Sequence, residues 1–373
     1  MNFEFLVFSV SISALLAGCS TVSPTAGVRM NQIQVIGTHN SYHQRAHDSL
    51  MKLIALYKPQ AARDLDYGHP PLPVQLSEFG IRQLELDCYA DPQGGRFAHP
   101  LGPVAAAKLG FAPVPSNDPN GELLKPGIKV MHIPHIDFGT SVLTLVDGLK
   151  EIRAWSLAHP HHIPIFILIE LKGETLRPDF TPVLPWRKPE LAELEGDILS
   201  VFPPNAIIKP DDIRHGAQTL PEGLREHGWP LLDSVRGKVL FGLDNDGTER
   251  DLYLQGHPAL EGRLLFVNVQ KGSPALAWTE VNDPIQDFAQ IQMLVKDGFL
   301  VRTRADEPTE TARANDVRMR DHALASGAQF ISTDFPVPNL TFSPYCVQLE
   351  GKIVARSNLV NGSANLLGRD LEK

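Results

Sequence analysis

Two rhythms of apolar and polar positions run along the chain. Gln32 to Ile36 and Ile81-Arg82-Gln83-Leu84-Glu85-Leu86-Asp87-Cys88 follow the two-residue period of a strand. Ile163 to Leu171 is almost continuously apolar, as expected of a strand covered on both faces. Lys129 to Ile133, Lys238 to Leu243, Arg263 to Val269, Gly298 to Arg304 and Ala328 to Thr333 complete a set of eight candidate strands. Between them the period lengthens. Val142 to Ala158 sets Leu143, Val146, Leu149, Ile152 and Trp155 at helical spacing. Pro189 to Val201, Pro284 to Lys296 and Thr311 to Ser326 do the same, the last stopping at Gly327. Strand and helix alternating in this way predict an α/β fold, a single-domain (β/α)8 barrel of the TIM type. Two loops rich in proline or glycine, Asp91 to Gly127 and Gly173 to Lys188, follow strand carboxyl ends, where such barrels carry their sites.

The ends read differently. Phe5 to Leu16 is an apolar run closed by Leu16-Ala17-Gly18-Cys19, which is similar to the lipobox of bacterial lipoproteins. Residues 1–18 are expected to be a lipoprotein-type signal peptide, with Cys19 the lipidated new N-terminus. Residues 19–30 form a tether, 31–340 the barrel, and 341–373 an extension packed on its outside with a loose end. The protein is thus expected to be exported and membrane-anchored through its N-terminal lipid, or secreted if Cys19 is not lipidated. Glu4 stands where a positive charge is usual before the apolar run, and that run is too short to span a bilayer as a stable helix.

Composition narrows the partners. The 373 residues carry 34 basic and 43 acidic side chains, a formal charge of -9, which offers no basic face for nucleic acid. Three cysteines are too few for a disulfide framework. A monomer is expected.

Strand parity then gathers a candidate site. Residues two apart on a strand share a face, so Glu85 and Asp87 point together and away from Leu84, Leu86 and Cys88. Two acids on an inward face are costly without a cation. Glu170 closes the apolar run of its strand with Lys172 on the same parity, and Asn40 lies just past the first strand. Asn40, Glu85, Asp87 and Glu170 offer only oxygen ligands, which suits a hard cation, Ca²⁺ ahead of Mg²⁺. The competing reading is that these acids form ion pairs with Lys172, Arg82 or Arg302. His39 adjoins Asn40, and His132 ends the third candidate strand; two histidines beside one hard cation suit a general base and a general acid for phosphodiester cleavage. His99, His135 and His159-Pro160-His161-His162 compete, the last group reading as a turn at the opposite end of the barrel.

These segments carry a resemblance. Gly37-Thr38-His39-Asn40-Ser41-Tyr42, Arg82-Gln83-Leu84-Glu85-Leu86-Asp87, Gly94-Gly95-Arg96-Phe97-Ala98-His99-Pro100, Val130-Met131-His132-Ile133-Pro134, Ala154-Trp155-Ser156, Pro164 to Lys172 and Ser332-Thr333-Asp334-Phe335-Pro336 together resemble the bacterial and fungal calcium-dependent phosphatidylinositol-specific phospholipase C family, within the barrel-shaped phosphodiesterases. The resemblance implies His39 as general base and His132 as general acid. It implies Asn40, Glu85, Asp87 and Glu170 as Ca²⁺ ligands, and Lys172 and Arg302 as contacts to the headgroup phosphate. It also implies attack by the inositol 2-hydroxyl through a cyclic phosphate. The chain departs from the family at His135, where relatives often carry an acid, and in lacking a cysteine after Gly139, which leaves Cys88 and Cys346 without an obvious disulfide role. The alternatives are a glycerophosphodiester phosphodiesterase, whose usual His-Arg-Gly opening is replaced here by His39-Asn40-Ser41, and a non-catalytic lipoprotein that binds inositol phosphates.

Overall fold

The computed structural model describes residues 25–307 and 309–373. The expected signal peptide, the lipidation site Cys19 and the first part of the tether lie outside the described residues. Eight parallel strands form a nearly closed barrel in the order β6-β5-β4-β2-β1-β9-β8-β7. They are β1 (Ile33–Thr38), β2 (Gln83–Tyr89), β4 (Ile165–Leu171), β5 (Val239–Leu243), β6 (Leu265–Val267), β7 (Trp278–Glu280), β8 (Leu300–Arg304) and β9 (Phe330–Thr333). The expected (β/α)8 barrel is present, with two changes to the strand list.

Lys129 to Ile133 is not a barrel strand. Only Lys129–Val130, β3, is extended, and it pairs antiparallel with Tyr89 and Cys88 at the end of β2. Both residues are buried, and the segment is also hydrogen-bonded on its other side to Leu143 to Leu145. The Lys129 ammonium, drawn under the loop, donates to the Lys125 carbonyl at 2.6 Å. The eighth barrel strand is β7, three residues that pair parallel with β8. So short a strand leaves no periodicity to read. The helices over Val142–Ala158 and Pro189–Val201 are found as α5 (Leu145–Ala158) and α6 (Lys188–Val201), and Pro284–Lys296 as α10 (Phe288–Lys296). Thr311–Ser326 is split into α11 (Glu310–Arg313) and α12 (Arg318–Ser326), which stops at Gly327 in the left-handed region (φ 87°). The His159–His162 segment is a turn below the barrel, where His162 accepts a hydrogen bond from the Ser156 hydroxyl at 2.8 Å.

Register sorts the barrel interior into layers. The pairs Gln83↔Phe166, Glu85↔Leu168 and Asp87↔Glu170, then Phe166↔Leu240 and Leu168↔Gly242, send these residues to the same face. The lower interior is apolar, with Phe166 packed edge-on to Trp278 (5.2 Å) and tilted on Phe330 (4.7 Å). The middle is kept narrow by glycine: a Cβ on Gly37 would meet the Gln83 side chain at 1.9 Å, and one on Gly242 would meet Phe166 at 2.6 Å. Charged residues are admitted only at the carboxyl-terminal rim, so fold and site are separated along the barrel axis.

The last segment is fastened where a loose end was expected. β10 (Ala355–Ser357) pairs antiparallel with β1, Leu371 is buried, and Glu372 forms a two-pronged ion pair with the buried Arg82. Arg82 therefore belongs to the bottom of the barrel and not to the acid cluster. Among the described residues, no helix is long and apolar enough to cross a membrane.

Candidate active site

The turn after β1 sets the first functional group. Asn40 takes a left-handed backbone (φ 44°), which asparagine tolerates better than most residues. Ser41 then locks the turn to β2, its N–H donating to the Glu85 carbonyl and its hydroxyl accepting from the Glu85 N–H. His39 is thereby held mostly buried at the rim, its Nε2 3.5 Å from Glu85. Its Nδ1 lies 2.8 Å from Asp334 Oδ1 and 3.2 Å from an Arg304 nitrogen. The shorter carboxylate contact requires Nδ1–H, and this assigns the tautomer with a free Nε2 lone pair. Burial first, then the Arg304 charge, pushes the His39 pKa down to about 3, against the opposing pull of Asp334, so the ring is neutral.

His132 repeats the device. It lies in the tight loop after β3, where Ile133 and Asp137 exchange backbone hydrogen bonds at 3.0 Å. Its Nδ1 donates to Asp137 Oδ2 at 2.7 Å, and the buried His43 Nε2 approaches both oxygens of the same carboxylate at 3.0 Å. Burial would raise the Asp137 pKa, but the two histidines outweigh it and hold the carboxyl well below its ordinary range. The Tyr67 ring stands between the two systems, 4.6 Å from His43 and 6.2 Å from His39, and its hydroxyl accepts from Asn40 Nδ2 at 2.9 Å.

The acids converge as parity implies. Glu85 and Asp87 are buried on the inward face of β2, and Glu170 is half-exposed at the end of β4. Both readings of their partners hold in part. Lys172 lies 2.9 Å from Asp87 and 2.7 Å from Glu170, and the buried Arg302 donates to Glu85 at 2.7 Å. Arg302 also reaches Asn282 and Glu280, which places it in the floor beneath Glu85. Two further acids join from strand ends, Asp244 after β5 and Glu280 closing β7. Glu85, Glu170 and Asp244 present oxygens within 4.8 Å of one another. Asn40 Oδ1 faces the Tyr42 hydroxyl at 3.3 Å, beside this group.

The residues fit a hard divalent cation. Five carboxylates (Glu85, Asp87, Glu170, Asp244, Glu280) face two cationic side chains, Lys172 and Arg302. Both oxygens of Asp87, Oδ1 of Asp244 and Oε1 of Glu280 are buried without a directed hydrogen bond, the Lys172 contact to Asp87 being an ion pair outside hydrogen-bond geometry. Burial pushes the Glu85 carboxyl up to about 8 and the Asp87 carboxyl up to about 7; Arg302 and Lys172 offset only part of it. Burial and the neighbouring Glu280 raise Asp244 as well. Oxygen-only donors in excess of their own counter-charges are the setting calcium prefers.

Sequence reasoning missed Asp137, Asp334, His43, Arg304, Asp244 and Glu280. Asp334 and Asp244 each directly follow a strand, the one signal that marks them. The His39–Asp334 pair spans 295 residues and leaves no local trace.

Fold and site together set two aspartate-held histidines and a cluster of acids suited to a hard cation at the carboxyl-terminal end of an α/β barrel. The family model described as "Phosphoinositide phospholipase C, Ca2+-dependent" matches residues 28–359. The chain belongs to this family of phosphoric diester hydrolases, and its cofactor is Ca²⁺. Among solved structures, it resembles a calcium-dependent phosphoinositol-specific phospholipase C from the Gram-negative bacterium Pseudomonas sp. In the myoinositol complex, 15% of positions are identical, with 88% of this chain and 95% of that one covered and a TM-score of 0.52. In one apo crystal form the values are 16%, 89%, 95% and 0.53. A second apo form gives 15%, 90%, 98% and 0.52. At this identity the likeness shows the shared barrel. None of the curated proteins matches the chain.

Asp137→Asn tests the second dyad. It keeps one acceptor for His132 but removes the charge shared with His43. The expected outcome is a fall in kcat of roughly 10²-fold with KM little changed. Steady-state kinetics on a phosphodiester substrate, beside a near-ultraviolet circular dichroism spectrum for folding, decide it; unchanged kcat in a folded variant contradicts it.

Proposed function

We propose that the protein is a phosphatidylinositol-type phospholipase C that cleaves an inositol phosphodiester through a cyclic inositol phosphate. The observation that carries this reading is the pair of histidines, His39 and His132, each with Nδ1 held by a buried aspartate beside one acid cluster. An Asp-held Nδ1–H leaves Nε2 for the substrate, so one ring can accept a proton while the other, protonated, donates one. His39, neutral and adjoining Asn40, takes the proton of the inositol 2-hydroxyl as that oxygen attacks phosphorus. His132 gives a proton to the departing glyceride oxygen. In the reverse sense, the two can then assist water to open the cyclic product.

Asn40, Glu85, Asp87 and Glu170 would hold Ca²⁺, with Asp244 close enough to Glu85 and Glu170 to join them. When bound, the ion supplies charge stabilisation to the phosphoryl oxygens and acidifies the attacking hydroxyl. Lys172, at the rim, is suited to contact the phosphate. Arg302 was the other candidate for that contact, but its burial under Glu85 and Glu280 favours a charge-balancing role.

Cleavage of phosphatidylinositol and of glycerophosphoinositol should require Ca²⁺ and stop in chelator, and His39→Ala should slow both by roughly 10²–10⁴-fold. Full turnover in chelator, or by His39→Ala, contradicts the reading. We further propose that Cys19 carries lipid and anchors the exported protein to a membrane, on the strength of Leu16-Ala17-Gly18-Cys19. The intact mass of the mature N-terminus, purified from a bacterial host, should show a diacylglyceryl cysteine; an unmodified terminus contradicts it.

A further inference from the structure

Against the loop that carries His132 lies an apolar groove of about 380 Å³, lined by none of the acid–base or acid-cluster residues. One wall is the loop that carries the second dyad: Ile133 and Ile136 line the groove, between His132 and Asp137 of the site. The facing walls are the end of α1 (Asp48–Tyr57), the helix α4 (Leu101–Lys108) inside the long loop after β2, and the loop after β4. Tyr57, Leu101 and Leu176 stand on its rim, exposed to 73%, 44% and 60%. Under the groove lies a second hydrophobic cluster, distinct from the barrel core, that includes Leu50, Met51, Met131 and Phe138. The groove is therefore built on a packed base, and its size is in the range of small-molecule sites.

His135, the departure from the family pattern, fastens these walls together. Its backbone is left-handed (φ 79°) and its carbonyl accepts the Gly102 N–H at 2.9 Å. A Cβ on Gly102 would meet that carbonyl at 2.2 Å, so the glycine lets α4 dock against the loop. The ring nitrogens of His135 lie 3.1 and 2.9 Å from the backbone nitrogens of Leu101 and Thr181, and the ring leans on Phe180 at 4.8 Å. One side chain thus joins the loops after β2, β3 and β4 around an apolar space. The neutral ring has one acceptor nitrogen, so it accepts from one of these two loops at a time and meets the other by packing.

We propose that this groove is an acyl subsite: it receives one fatty-acyl chain of the glyceride whose phosphoinositol headgroup enters the barrel mouth. The inference rests on the reading of the site given above. There His132 protonates the departing glyceride oxygen, so the leaving group must lie on the His132 side, and the groove begins at the residues next to His132. A water-soluble leaving group such as glycerol would leave these apolar walls wet. An acyl chain covers them, and each buried methylene adds to binding. The specificity follows: the enzyme prefers a diacylglyceride leaving group to glycerol because of the groove, not only because lipids concentrate at a membrane.

Two variants test it, Ala105→Trp, which fills the groove from α4, and Leu176→Asp, which puts charge on its exposed rim and leaves the packed base alone. Each is assayed with Ca²⁺ on dihexanoyl-phosphatidylinositol below its micelle concentration, on phosphatidylinositol in phosphatidylcholine vesicles, and on glycerophosphoinositol. The expected result is a fall in kcat/KM for the monomeric lipid, relative to glycerophosphoinositol, of roughly tenfold for every two methylenes displaced, and a fall on vesicles as well. Equal losses on monomeric lipid and glycerophosphoinositol, or losses confined to vesicles, overturn the acyl subsite; the second pattern makes the face a membrane contact instead. If the unmodified enzyme cleaves none of the three, the reading of the reaction has failed and the subsite with it. If it cleaves all three and both variants match it on every substrate, only the subsite has failed.

Discussion

Uncompensated negative charge at one end of the barrel is the constraint on which the rest of the site depends. Burying a carboxylate is costly unless a cation or several donors meet it. Here Glu85 and Asp87 are fully buried on one strand, Glu170, Asp244 and Glu280 join them from strand ends, and among the described residues Lys172 and Arg302 are the Lys and Arg side chains that pair with them. The fold tolerates this because the lower barrel carries the stability. Phe166, Trp278 and Phe330 pack the interior below, and the antiparallel β10 with the Arg82–Glu372 pair fastens the N-terminal end. The family's Ca²⁺ would complete the charge balance if it bound among these acids.

Around that charge the protein sets two histidines with the same device. An aspartate takes Nδ1–H, fixes the tautomer and leaves Nε2 facing the site. The surroundings differ. His39 has Arg304 beside it, whose charge disfavours the protonated ring. His132 shares its aspartate with His43 and lies in a loop that also borders the apolar groove. The six-residue stretch His132 to Asp137 thus holds one aspartate-bound histidine and borders the groove as well.

The parts of this arrangement legible in the sequence are those written in strand parity. Glu85 and Asp87 two apart on an alternating strand, Glu170 at the end of an apolar run and His39-Asn40 after β1 all follow from local pattern. What was illegible is long-range or short. Asp334 and His39 follow paired residues of the adjacent strands β9 and β1, but 295 positions separate them in sequence. Asp244, in Asp244-Asn245-Asp246-Gly247, has the composition of a turn and reads as one. The strand β7 is three residues long, too brief for a period, while Lys129-Val130 imitates a barrel strand because it is extended and buried as one is, although it pairs antiparallel. His135 looked like a departure without a role because its partners, Leu101 and Thr181, lie in two loops that only the fold brings together.

Isothermal titration of the chelator-treated protein with CaCl₂ tests the charge argument most directly. The account predicts one Ca²⁺ bound per chain, weaker binding of Mg²⁺, and loss of the calcium heat in Glu85→Gln with the fold intact by circular dichroism. No saturable calcium binding, or the same affinity in folded Glu85→Gln, would contradict it.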